Sequence, residues 1–239
     1  MADTASSIDA GIALARRGLR DRVYELILSM LMNPEIEPGS RLSIDSVARD
    51  LNVSPTPVRE ALVMLERTGL VTRETHKGYR IAPPISDGQL EALFDARLVL
   101  EGGATELAAT DAATLVPLLE AALTEHREIA QQVKGVAAKG EIPVELLREY
   151  FDVDWSFHHL IFEGAHNPFL LDMSEAISTR VHRMRQTVRT GVSDADDAVL
   201  EHQAVLDAFK GDNPGIAAAA MRDHIEKVRT RSRSDSHAI

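Results

Sequence analysis

Asp154 and His158 stand one helical turn apart in DVDWSFHHLIF, residues Asp152 to Phe162. A helix there has its apolar stripe through Leu147, Phe151, Asp154, His158 and Ile161, a 4-3-4-3 spacing that puts a carboxylate and an imidazole inside the stripe. A buried ion is costly unless it is paired or bound to metal, so both groups need partners. Two later stretches supply them. DDAVLEHQAVLDAFK carries a stripe of Val199, His202, Leu206 and Phe209, and IAAAAMRDHIEKVRT one of Ala217, Met221, His224 and Val228. Asp154, His158, His202 and His224 together offer imidazole nitrogens and a carboxylate oxygen suited to a divalent first-row ion, zinc first, with nickel, manganese or iron as alternatives. A core histidine on its own is usually a hydrogen-bonded packing residue, and the residue pattern by itself leaves both readings open.

Arg97 lies in a stripe with Leu90, Phe94, Glu101 and Ala104, which brings a guanidinium to the interior of the same helical region. There it holds an acidic effector by two-point pairing, or an internal acid such as Glu101. Arg180, beside Ile177 and Met184, is a second effector-binding candidate. His159 packs or hydrogen-bonds beside Trp155 and Phe162, while His126, His166, His182 and His237 read as surface residues.

The elements that must position these groups follow from periodicity and breakers. Helices are expected at about 87–109, 114–136, 143–164, 168–190, 194–211 and 214–231, separated by TDAAT, AKGEIP, GAHNP, TGVSD and GDNPG. Ser86 or Asp87 caps the first of them, and together they form an antiparallel bundle.

Ahead of this bundle the pattern differs. DRVYELILSMLM has helical spacing, SIDSVARDLNVS reads as a short helix capped by Ser43, and SPTPVREALVMLERTGL as another with Pro in its first turn and Gly69 ending it. VTRETHKGYRIA then reads as two short strands joined by a turn with Lys77 and Gly78. Three helices and a hairpin in that order predict a winged helix-turn-helix, whose third helix enters the major groove by its N-terminal end. Val58, Leu62, Leu65 and Leu70 form its inward face, leaving Ser54, Thr56 and Arg59 outward. Arg59 suits a guanine edge or a phosphate, Arg41 the backbone, and His76, Lys77 and Gly78 a wing contact.

The 239 residues are enough for two domains, with aromatics at only 4%, which favours helices. The expected layout is a tail over 1–15, the winged domain over 16–82, a linker over 83–87 around Pro83 and Pro84, the helical domain over 88–231, and a tail over 232–239. The absence of cysteine excludes disulfides and thiolate metal sites. No apolar stretch of signal-peptide length opens the chain, and no later run is read as approaching the roughly 18 apolar residues of a membrane span, so a soluble cytoplasmic protein is expected. The net charge of -11 falls beyond residue 84, whereas residues 41–80 are mildly positive.

The run PGSRLSIDSVARDLNVSPTPVREALVMLERTGLVTRETHKGYRIAP resembles the DNA-binding domain of the GntR family of bacterial transcription regulators, most of all in VSPTPVREAL. Two departures are visible. Family members often have Arg where Pro55 stands, and a charged pair in place of Ile44 and Asp45, so fewer base contacts are available. Residues 88 to 231 resemble the FCD domain of the FadR-type branch through DARLVLEGGATELAA, DWSFHHLIFEGAHNPFL and EHQAVLDAFKGDNPGIAAAAMRDHI. Many members of that family bind metal through an Asp-x-x-x-His pair and two later histidines, and those positions fall on Asp154, His158, His202 and His224.

The resemblance implies a homodimeric repressor of double-stranded DNA, each subunit reading half of a pseudo-palindromic operator. The helical domain is expected to bind a metal and a small-molecule carboxylate. Three alternatives stay in view: a sensor in which the metal is the signal, a bundle filled by an acyl chain, and a metalloenzyme. The last needs a further acid or base, and no additional Glu or His is read in the inward stripes.

Overall fold

The computed structural model describes residues 18–28, 30–31, 37, 39–67, 69–74, 78–83, 85–140, 142–188, 194–211 and 213–236. The chain divides into two compact units, Met1–Pro84 and Ile85–Ile239.

In the first unit a helix over 18–28 (α1) precedes α2, Ile44–Asp50, and α3, Pro55–Arg67. Ser43 caps α2, its hydroxyl accepting from the Ser46 amide. The turn to α3 passes through Asn52 at φ 52°, the left-handed region that Asn tolerates. Strands β1 (Arg41–Leu42), β2 (Val71–Glu74) and β3 (Gly78–Ile81) form an antiparallel sheet in the order β1-β3-β2, with Arg41 opposite Arg80 and Thr72 opposite Arg80 on the other side. The sequence predicts only the β2–β3 hairpin. A two-residue strand is too short to show a period of two, which is why β1 escapes pattern reading. Tyr79 and Ile81 alternate inward from β3 onto Val58, Leu62, Leu65, Leu70 and Val71, together with Val23 and Ile27 from α1.

Among its described residues the second unit is built of helices: α4 (Asp87–Ala108), a 3-10 turn (Ala109–Asp111), α5 (Ala112–Ala137), α6 (Val144–Gly164), α7 (Pro168–Val188), α8 (Ala195–Phe209) and α9 (Pro214–Ser236). Ser86 caps α4 through a capping box with Gln89. α4 packs against α9, α6 and α7, while α5 packs against α6 and α8, and α8 against α9. Gly164 allows a close approach of α6 to α5, since a Cβ there would fall 2.9 Å from Leu115 Cδ2. The core runs from Leu90 and Phe94 through Leu119, Leu123, Phe157 and Ile161 to Phe209, Met221 and Ile225.

The break expected at TDAAT is present as a 3-10 turn between α4 and α5. Two expectations need correction. The tail expected from residue 232 is helical through Ser236. And within Asp87–Ala137 one window is apolar enough by length and composition to cross a membrane, contrary to the reading that none is. Ala and Leu account for it. The same stretch carries a buried ion pair and packs on four other helices, as the core helices of a globular domain do.

Leu62 is fully buried on the inward face of α3, so Leu62→Ala should destabilise the first unit by about 2–5 kcal/mol, measured by urea unfolding.

Candidate functional site

The helical stripes converge on a buried polar cluster. Asp154 and His158 from α6, His202 from α8 and His224 from α9 are each at most 1% exposed. His202 Nε2 lies 3.1 Å from His158 Nε2, and His158, His202 and His224 each bring one ring nitrogen within 4.8 Å of the others. Phe157 stacks on His202 with centroids 4.4 Å apart, and Trp155 stacks on His158, so both rings are held in place by packing. His224 Nε2 is buried without a hydrogen-bond partner among the described residues, an arrangement that wastes a lone pair unless something accepts it.

The far side of two of these rings is held by an acid. His158 Nδ1 lies 2.7 Å from Glu101 Oε2, in contact although off the ideal hydrogen-bond direction, and His224 Nδ1 donates to Glu201 Oε2 at 2.9 Å. Each acid is paired in turn. Arg97 Nε donates to Glu101 at 2.5 Å, and Arg231 grips Glu201 with two bonds of 2.6 and 2.9 Å while also reaching Asp194. Holding Nδ1 as a donor leaves Nε2 as the lone pair facing the cluster, the usual carboxylate–histidine arrangement behind a metal ligand.

Charge follows from these contacts. Burial pushes the Glu101 carboxyl up, but Arg97 and His158 outweigh it and hold it well below the ordinary carboxylate range. Burial likewise raises Glu201, yet its bonds from Arg231 and His224 bring it to about 2. Burial lowers His224 to about 4 in spite of Glu201, and burial with the neighbouring His224 lowers His202 well below its ordinary value. Neutral rings and ionised acids are the states a cation would require.

Two residues that the sequence reading passed over belong to the cluster. His126, expected at the surface, is fully buried: its Nδ1 lies 3.2 Å from His202 Nδ1 and its Nε2 3.5 Å from Asp154 Oδ1. It occupies a regular α5 stripe with Leu119, Leu123, Ile129 and Val133, a signal masked by its charged neighbours Glu125, Arg127 and Glu128. Glu201 is buried as well, so the expectation of no further Glu or His in the interior is corrected by this acid and by His126.

Of the two effector candidates, Arg97 is buried, with Nε and Nη2 directed at Glu101 and Nη1 left without a hydrogen-bond partner. Arg180 is not inward. The buried face of α7 runs through Ser174, Ile177 and Val181, which turns Arg180 to solvent, where it donates to its own helix at Ala176 O. His159 is half-buried beside Glu163 and His166 is exposed, whereas the side chain of His182 and residue His237 lie outside the described residues.

In the first unit Ser54, Thr56 and Arg59 stand exposed at the leading end of α3, and Val58, Leu62 and Leu65 are buried behind them. Pro55 opens the helix, where its missing amide donor is not needed. Arg41 is exposed on β1, and Gly78 begins β3 at φ 87°, a conformation that favours glycine. His76 and Lys77 lie outside the described residues.

Residues 19–81 match the bacterial regulatory proteins of the gntR family, and residues 92–227 match the FCD domain. The chain belongs to the GntR family, in its FCD branch. Among its relatives are an HTH-type regulator from an unstable DNA locus of Streptomyces ambofaciens, 30% identical with 89% of this chain and 84% of that one covered, and the repressor NanR of Enterobacter sp., 28% identical over 90% and 85%. LutR of Bacillus subtilis is 26% identical over 83% and 94%. The solved structure of E. coli McbR shares the fold, with a TM-score of 0.67, 20% identity and coverage of 90% and 97%. This GntR-family chain is a transcriptional regulator, with its winged helix-turn-helix in the first unit and the polar cluster in the FCD domain.

The lowered histidines set a pH dependence. The unfolded chain takes up protons on these rings near the ordinary value of 6.5, whereas folded His224 resists until about 4. The unfolded state then binds more protons between those values, so stability is intact above about 6.5 and falls as pH drops toward 4. The acids Glu101 and Glu201 lose their contribution only in a lower window, below their ordinary 4.5. The urea midpoint of chelator-treated protein should therefore be lower at about pH 5 than at about pH 7.5, and His224→Leu should flatten that difference.

Proposed function

We propose that this regulator is a cytoplasmic homodimer that represses transcription from a pseudo-palindromic operator. In this reading its FCD domain binds a divalent metal, zinc by preference, and a small-molecule carboxylate that modulates operator binding. The buried, unpartnered Nε2 of His224, facing His158 and His202, carries the metal reading. Three imidazoles and the Asp154 carboxylate suit zinc, which supplies Lewis acidity and open coordination positions for oxygen ligands when bound. His158, His202 and His224 would hold it by Nε2, with Asp154 as the fourth protein ligand, while Glu101 and Glu201 keep two of the rings turned inward.

Arg97 supports the effector reading. Its Nη1 is a buried donor awaiting an acceptor, and a planar guanidinium pairs best with a carboxylate. Repression is supported by relatives such as NanR, which is named as a repressor. On the DNA side Arg59 reads a base edge or clamps a phosphate, Ser54 and Thr56 adjoin it, and Arg41 with the wing residues His76, Lys77 and Gly78 contacts the backbone.

Selection of genomic fragments by the purified protein at fixed salt should recover a palindromic site. Arg59→Ala should weaken binding to that site about 10–100-fold while leaving salt-sensitive nonspecific binding in place. Equal recovery of all fragments by both proteins would count against specific reading by α3. For the metal, the protein purified from zinc-supplemented cells should carry about one zinc per chain by elemental analysis, and His202→Ala with His224→Ala should abolish it.

A further inference from the structure

The metal reading assigns His158 and His224 an acid at the far ring nitrogen but leaves His202 without one, and it gives His126 no task. We propose that His126 is a positioning residue for the metal site, fixing His202 through its Nδ1 and the Asp154 carboxylate through its Nε2. This inference rests on the metal reading and deepens it.

The geometry of the ring carries the argument. His126 faces His202 with one nitrogen, Nδ1 to Nδ1 at 3.2 Å, and Asp154 Oδ1 with the other, Nε2 at 3.5 Å. Between two neutral imidazoles meeting nitrogen to nitrogen, one carries the proton and the other accepts it. His202 can present an Nε2 lone pair to a metal only if its proton sits on Nδ1, and that N–H then donates to His126 Nδ1. The His126 proton is thereby placed on Nε2, on the side of Asp154, whose Oδ1 lies 3.5 Å away, an electrostatic contact rather than a hydrogen bond. One ring sets the tautomer of one ligand and the orientation of another.

Packing leaves His126 little freedom to do otherwise. It is fully buried, with Tyr150 at 5.4 Å and His202 at 5.0 Å between ring centroids, and Phe157 stacked on His202 from a further side. With this link each of the three ligand histidines has its far nitrogen fixed: His158 by Glu101, His224 by Glu201, and His202 by His126. The other use of the same atoms is a second ion among His126, Asp154 and His202, which lie close enough together for one. A second ion would require His202 to give up both ring protons so as to bridge two metals, and the relay needs no such step.

The test is zinc titration of the full chain against a chromophoric chelator, together with the visible spectrum of the cobalt-loaded protein, in wild type, His126→Leu and His126→Asn. Leu fills the buried volume without hydrogen bonding. Asn places an amide oxygen near the position of Nδ1, where it can accept the His202 proton. Expected are one ion per chain in every form, zinc affinity about 10–100-fold weaker in His126→Leu, recovery of most of that loss in His126→Asn, and an unchanged cobalt spectrum. Equal affinity in wild type and His126→Leu would overturn the proposal, reducing His126 to packing. So would two ions per wild-type chain falling to one in the variants, which is the second site. A weakened His126→Asn with an altered cobalt spectrum would make His126 a direct ligand and overturn it too. Should His126→Leu lose its helical far-UV spectrum, His126→Asn decides by the same two readouts. A wild type that binds no zinc removes the metal reading itself, and this inference with it.

Discussion

Four imidazoles lie buried inside the FCD domain, and the acids and rings packed around them hold them in fixed orientations. A histidine buried among apolar side chains costs free energy if it charges, and costs it again if its two nitrogens find no partners. The fold meets the second demand by importing acids with their own cations. Arg97 neutralises Glu101, and Arg231 neutralises Glu201, so each carboxylate can face an imidazole without adding an unpaired charge to the interior. Removing one member of such a pair would leave the other buried and uncompensated, which is more damaging than replacing both. This dependence explains why polar residues appear on five helices at once, on α4, α5, α6, α8 and α9.

The two units encode function in different physical terms. In the winged unit the residues proposed to meet DNA are those the core leaves outside: Val58, Leu62 and Leu65 fix the roll of α3, and Ser54, Thr56 and Arg59 are exposed as a result. In the FCD domain they are the residues the core encloses, and the same helical period that buries Val199 and Phe209 buries His202 between them. A substitution that tilts α3 would misdirect DNA contacts with little effect on the polar cluster's composition, whereas one that opens the α5–α8 packing would admit water to it.

This difference governs how much was legible in the sequence. Asp154, His158, His202 and His224 each interrupt an apolar stripe at helical spacing, so periodicity alone brought them to the interior, and α2 with its Ser43 cap was readable from local signals. His126 satisfies the same period but sits among Glu125, Arg127 and Glu128, and judging it by its neighbours in sequence rather than by the residues three and four away put it on the surface. Glu201 was hidden for another reason. It adjoins His202 at the edge of the stripe, and its burial depends on Arg231 from α9, a tertiary partner that no local pattern announces. Arg180 shows the reverse error, because the spacing from Ile177 fits an inward residue until Val181 is seen to take that face.

The arrangement of Arg97 bears on how a metal and a carboxylate effector would coexist. Its guanidinium already meets Glu101 along the Nε and Nη2 edge, and Nη1 is the donor that remains. A carboxylate arriving at Nη1 would add to the Glu101 pair without displacing it, since a guanidinium has five N–H groups and one acid occupies only an edge. Glu101 would then keep its contact with His158, and His158 its orientation. Effector binding and metal binding would thus share Arg97 and Glu101 as a common support without competing for the same atoms. Such sharing is available to arginine, whose donors point in fixed and separate directions, and not to a lysine ammonium at the same position.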